Sequence, residues 1–122
     1  MPSEILIYLC SPYSDADPAV RDARFRAVCA IAGDLLAWGH LVYVPIAHSH
    51  PIAYYSEGTD TSWETWERLD AEMIARCDEV WVAMLDGWQQ SVGIAAELSI
   101  ARDRGMPIRY YDPATRQLSP TP

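Results

Sequence analysis

Apolar residues fill the run Ile5 to Cys10 (ILIYLC) and stop at Ser11-Pro12. This is the pattern of a short strand buried on both faces, as in a parallel sheet. After Asp17-Pro18, the apolar positions Val20, Ala23, Ala27, Val28, Ile31 and Leu35 recur at helical spacing and end at Gly39. They predict a helix of about five turns with a glycine stop. Leu41 to Val44 reads as a second strand closed by Pro45, whereas Ile46 to Thr61 shows no clear period and is expected to be a long loop of the functional kind. Ser62 is a candidate N-cap, and Trp63, Trp66, Leu69, Met73 and Ile74 form the apolar stripe of a second helix ending near Cys77. Glu79 to Leu85 (EVWVAML) is a third strand, a third helix is expected from about Ser91 to Arg104, and Ile108 to Tyr111 is a short fourth strand. The remainder, residues 113–122, is expected to be an irregular, frayed tail.

Strands alternating with helices predict parallel crossovers, so the fold class is α/β, flavodoxin-like or Rossmann-like. It is a three-layer domain over residues 1–112 with a mainly parallel sheet of four to five strands. In such sheets a ligand binds beyond the carboxyl ends of the strands, where strand order reverses. That rule points to Ser11 to Tyr13, to Ile46 to His50, and to Asp86 to Gly93, with Trp88 among the last.

Charge narrows the partners. The chain carries a formal charge of −8, and its nine basic residues are all arginine. A surface of this kind does not hold polymeric nucleic acid. A small anion remains compatible, because one helix N-terminus and one arginine hold a phosphate locally. No apolar run reaches the roughly 20 residues of a membrane span and no secretory signal is evident, so a cytoplasmic location without membrane contact is expected. Cys10, Cys29 and Cys77 are scattered, as reduced core thiols are, and carry no disulfide or zinc spacing.

Two carboxylates break the apolar pattern. Glu97 has Gly93, Ile94, Ile100 and Ala101 at three and four residues' distance, and Asp70 has Trp66, Met73 and Ile74. A carboxylate on a core-facing stripe must be paired, protonated or used, since burying it alone costs several kcal/mol. For Glu97, an ion pair with an arginine such as Arg24 or Arg102 stands beside a catalytic role. Two acids in a partly dry cleft are the apparatus for breaking a glycosidic bond, one protonating the leaving group and the other attacking the anomeric carbon or activating water. Ser91 and Gly93, in the first turn of the third helix, leave backbone N–H groups open to a phosphate, or serve only as cap and packing residue. Tyr8 and Tyr13 offer a hydroxyl to a carboxylate or an aromatic face to a base, or simply pack. His48 and His50 with Asp15 and Asp17 are a weak metal reading, lacking a third ligand at typical spacing, and no metal or organic cofactor is expected.

The run Tyr8 to Tyr13 (YLCSPY), the segment Trp66 to Asp70 and above all Ser91 to Glu97 (SVGIAAE) resemble the nucleoside 2-deoxyribosyltransferase superfamily. Within it the chain looks like the small DUF1937-type proteins and is similar to nucleoside 5′-monophosphate N-glycosidases. The resemblance implies a flavodoxin-like enzyme that cleaves the N-glycosidic bond. Glu97 would be the nucleophile at C1′, Asp70 would assist proton delivery to the leaving base, and Tyr8 would orient Glu97. Release of the sugar to water makes a hydrolase, and release to a second base a transferase. Serine at position 91, where the nucleoside enzymes carry aspartate, favours a nucleotide, and Arg21 or Arg24 would add charge beside it. The implied binding set is Ser11, Tyr13, Arg21, Arg24, His48, Asp86, Trp88, Ser91 and Gly93. The resemblance also implies a homo-oligomer, dimer or tetramer. Ala95 stands where the family usually has a second glycine, and the aromatic stretch from Tyr54 to Trp63 has no certain counterpart. Two other readings compete: a nucleotide-binding sensor without turnover, and a structural oligomer module built on the five tryptophans.

Overall fold

The strand and helix patterns resolve into the order β1 (Leu6–Cys10), α1 (Pro18–Ala37), β2 (Leu41–Tyr43), α2 (Pro45–Tyr55), α3 (Trp63–Arg76), β3 (Glu79–Ala83), α4 (Val92–Asp103), β4 (Ile108–Asp112) and β5 (Gln117–Ser119). The structure is a computed structural model, and it describes residues 4–56 and 62–122. One five-stranded sheet runs β2-β1-β3-β4-β5. Its first four strands are parallel and β5 returns antiparallel on β4. The expected fold class is the one found.

Strand alternation sorts β1 into two cores. Ile7 and Leu9 point to one face and pack with Val28, Ile31 and Leu35 of α1. Tyr8 and Cys10 point to the other and pack with Ile74 of α3 and Ile94 and Leu98 of α4. These four side chains are buried and Leu6, the first of β1, is half-buried, which is why the run reads as continuously apolar. The chain leaves β1 towards β2 on one side and reaches β3 on the other, so the point where strand order reverses lies at β1. A ligand crevice is expected at the carboxyl end of that strand.

Helix ends follow local chemistry. Asp17 caps α1 by accepting from the Ala19 N–H at 2.9 Å, with Pro18 in the first turn. Ser91 caps α4 by accepting from the Ile94 N–H at 3.1 Å. Gly87, between β3 and α4, sits at φ +89°, and a Cβ there would meet Arg24 Nη2 at 2.6 Å. The left-handed backbone conformation is what favours glycine there, since the Arg24 guanidinium is the end of a flexible side chain and can move aside.

Two expectations are corrected. Residues from Pro45 to Tyr55 form α2 rather than a loop; 57–61, the rest of the expected loop, lie outside the described residues. Pro45 suits a first helical turn, but Pro51 inside the helix breaks its hydrogen-bond ladder and hides the period from the sequence. The tail is not irregular throughout. A turn containing Arg116 at φ 59° brings Gln117–Ser119 back onto β4, with Leu118 opposite Tyr111. Three residues are too short a run to stand out as a strand.

Candidate active site

A cavity of about 370 Å³ opens at the carboxyl end of β1. Ser11, Tyr13 and Ser14 come from the loop after β1, Arg21 from α1, and Pro45, Ile46, Ser49 and Ala53 from one face of α2. Trp63, Trp66 and Asp70 line it from α3, and Ser91, Gly93 and Glu97 from the start of α4. Both anomalous acids of the sequence therefore meet in one crevice.

Glu97 is held from beneath. Tyr8, fully buried on β1, donates its hydroxyl to Glu97 Oε2 at 2.5 Å. The Cys10 thiol, two residues on and on the same face, lies within hydrogen-bonding reach of the same carboxylate. Burial pushes the Glu97 carboxyl up to about 8; the nearby Asp70 charge adds to this, while the Tyr8 and Cys10 donors pull the other way. Burial raises Asp70 to about 6. Burial also drives the Tyr8 phenol far above its ordinary range, and Glu97 and Asp70 reinforce the effect, so Tyr8 is a permanent donor. Among the described residues no ion pair involves Glu97, so the arginine pairing weighed from sequence is not what is found.

The α4 N-terminus forms the opposite lip. Ser91 Oγ accepts from Ile94, leaving its own proton free to donate, and the first N–H groups of a helix have no intrahelical partner. Gly93 lines the same lip, where a Cβ would make ordinary contacts, 3.7 Å from Ser91 Oγ and 3.9 Å from Trp63. Ser11 is buried, and its Oγ has no hydrogen-bond partner among the described residues.

Four members of the expected binding set lie outside the lining. Arg24 is tied to the Ser14 carbonyl at 3.0 Å and packs on Gly87, clamping two loops. His48 is exposed, because the cavity takes positions 46, 49 and 53 of α2. Asp86 is also exposed, and Trp88 packs into the core beside Tyr110, ring centroids 5.8 Å apart. The stretch Ile46 to His50, to which the sheet-edge rule points, does supply Ile46 and Ser49, but the expected binding set omits these two along with Trp63 and Trp66; Trp66, four residues before Asp70, carried a usable signal. His50 faces Tyr13 and Asp22, and among the described residues no cluster of metal-ligating side chains occurs. No helix among them is long and apolar enough to cross a membrane.

The sequence matches the family described as "Domain of unknown function (DUF1937)" over residues 5–113. No curated protein matches it. Among solved structures, it is similar to a 2-deoxyribosyltransferase from the psychrotolerant bacterium Bacillus psychrosaccharolyticus, at 23% identity and a TM-score of 0.63, covering 88% of this chain and 72% of that one. The likeness is one of fold.

Proposed function

Starting from the fact that the chain belongs to the DUF1937 family, we propose that it cleaves the N-glycosidic bond of nucleoside or deoxynucleoside 5′-monophosphates, with Glu97 as nucleophile. The observation that carries this reading is the pairing of acids: Glu97, gripped by Tyr8 at 2.5 Å, and Asp70 line one cavity. Similarity in fold to a 2-deoxyribosyltransferase supports it.

The chemistry follows from the two environments. Ionised Glu97 attacks C1′, the C1′–N bond breaks with its electron pair going to the base, and protonated Asp70 supplies the proton that the base takes up. Water, or a second base, then displaces the sugar from Glu97. With values of about 6 for Asp70 and about 8 for Glu97, the pair holds one proton at neutral pH; it rests mainly on Glu97, and the productive form is the minor one with that proton on Asp70. Tyr8 stabilises the carboxylate and keeps it aimed. Ser91 and the α4 N-terminus bind the 5′-phosphate, and Arg21 adds a positive charge. The enzyme acts as a cytoplasmic homo-oligomer and without a metal or cofactor.

The test is to incubate the protein with ribo- and deoxyribonucleoside 5′-monophosphates and the matching nucleosides, following free base by chromatography, with and without a second base as acceptor. Base released from monophosphates in preference to nucleosides, with that preference lost in Ser91→Ala, is the expected outcome. Preference for nucleosides would overturn the phosphate assignment. No release from any substrate would leave a binding protein, recognised by a nucleotide that raises the melting temperature without turnover.

A further inference from the structure

Tyr13, one wall of the cavity, is itself held from behind. Its hydroxyl lies 2.6 Å from His50 Nδ1, and the two rings meet edge to face at 5.5 Å. His50 is fixed on two further sides: it stacks on Phe25 with centroids 4.3 Å apart, and its Nε2 faces Asp22 Oδ1 at 3.6 Å. Asp22 is anchored in turn by Arg26 Nε at 2.8 Å. A carboxylate on the Nε2 side favours the tautomer with its proton there, which leaves Nδ1 to accept from Tyr13. Pure packing at this spot requires no such chain of polar contacts.

The position of Tyr13 gives the chain a purpose. A second cavity of about 430 Å³, lined by His50, Asp22 and Tyr54 among others, adjoins the first, and Tyr13, Arg21 and Ala53 line both. Tyr13, with Arg21 and Ala53, thus stands between the two spaces.

We propose that His50 is a positioning residue that locks Tyr13 in place as the wall against which the flat heterocycle of the ligand packs. The proposal rests on the nucleotide reading above. It assigns His50 no part in bond-making and a specific part in recognising the base, as distinct from the sugar and phosphate.

The experiment compares wild type, His50→Ala, His50→Asn, Tyr13→Phe and the double variant His50→Ala/Tyr13→Phe. KM and kcat are measured with a nucleoside monophosphate, and binding of ribose 5-phosphate, which lacks a base, by calorimetry. His50→Ala is expected to raise KM roughly tenfold, the size of one lost hydrogen bond and a loosened aromatic contact. kcat should stay within about twofold and ribose 5-phosphate affinity should not move, a split that simple misfolding does not produce. Asparagine at position 50, whose amide oxygen accepts near the Nδ1 position, should recover most of the loss. Tyr13→Phe should match His50→Ala, with the double variant no worse than either, because both break one contact. Additive losses, equal weakening towards ribose 5-phosphate, a fall in kcat at constant KM, or no effect would each overturn the proposal. If wild type releases no base at all, the glycosidase reading falls; nucleotide against ribose 5-phosphate binding in the same variants then judges His50, and an unchanged ratio overturns it.

Discussion

The two faces of β1 show how a single strand divides labour. Ile7 and Leu9 enter a core of aliphatic and aromatic side chains, Trp81 and Tyr111 among them, whereas Tyr8 and Cys10, alternating with them, enter a face where a carboxyl is pushed up to about 8. Burial is the same on both sides. On the first face burial stabilises the fold; on the second it also desolvates an acid, a cost that the proposed glycosidase chemistry would put to use. Substitutions at neighbouring positions of one strand should therefore fail in different ways.

The largest contrast is expected at Glu97. Glu97→Gln should lower base release by about a thousandfold or more, as loss of a nucleophile does, yet make the protein more stable. The folded-state value of about 8 lies above the ordinary 4.5. The stability this group contributes is therefore complete below pH 4.5 and is lost as pH rises through 8. Thermal melts should show the glutamine variant gaining at pH 9, by roughly 5 °C or more, and gaining little at pH 4. A variant less stable at pH 9 than wild type would break the contrast.

Next in size is the opposite failure. Leu9→Ala should cost about 2–5 kcal/mol of stability by denaturant titration while activity per folded molecule stays near wild type. Tyr8→Phe, one residue away, should leave stability within about 1.5 kcal/mol and lower kcat by tenfold or more.

The smallest effect is a displacement in pH. The rate should follow a bell with limbs near 6 and 8, since below it the nucleophile is protonated and above it the proton for the base is gone. Tyr8→Phe removes a donor that favours the charged form, so the limb near 8 should move to higher pH. Asp70→Asn should leave a single rising limb, below 8 because the neighbouring negative charge is gone.

The contrast also explains what the sequence disclosed. The strands β1 and β3 and the helices α1, α3 and α4 were legible because hydrophobic burial writes its period directly into residue choice, and Glu97 and Asp70 were legible because they violate it. α2 was hidden by Pro51 and by small residues whose spacing makes sense only once a cavity faces them. β5 was hidden because three residues show no alternation. Arg24, Asp86, Trp88 and His48 lie near the right strand ends, but whether a side chain turns into the crevice depends on loop geometry that no period encodes. The Tyr13–His50 contact joins residues 37 positions apart and left no local trace.

The most direct test of the central claim is to trap the glycosyl-enzyme intermediate. The protein is quenched during turnover of a nucleoside monophosphate, digested, and examined by mass spectrometry for a sugar phosphate on the peptide that contains Glu97. An adduct on Glu97, absent from Glu97→Gln and removed on further incubation with water or an acceptor base, is the result expected. Rapid turnover with no adduct on Glu97, or an adduct on another residue, would contradict the account.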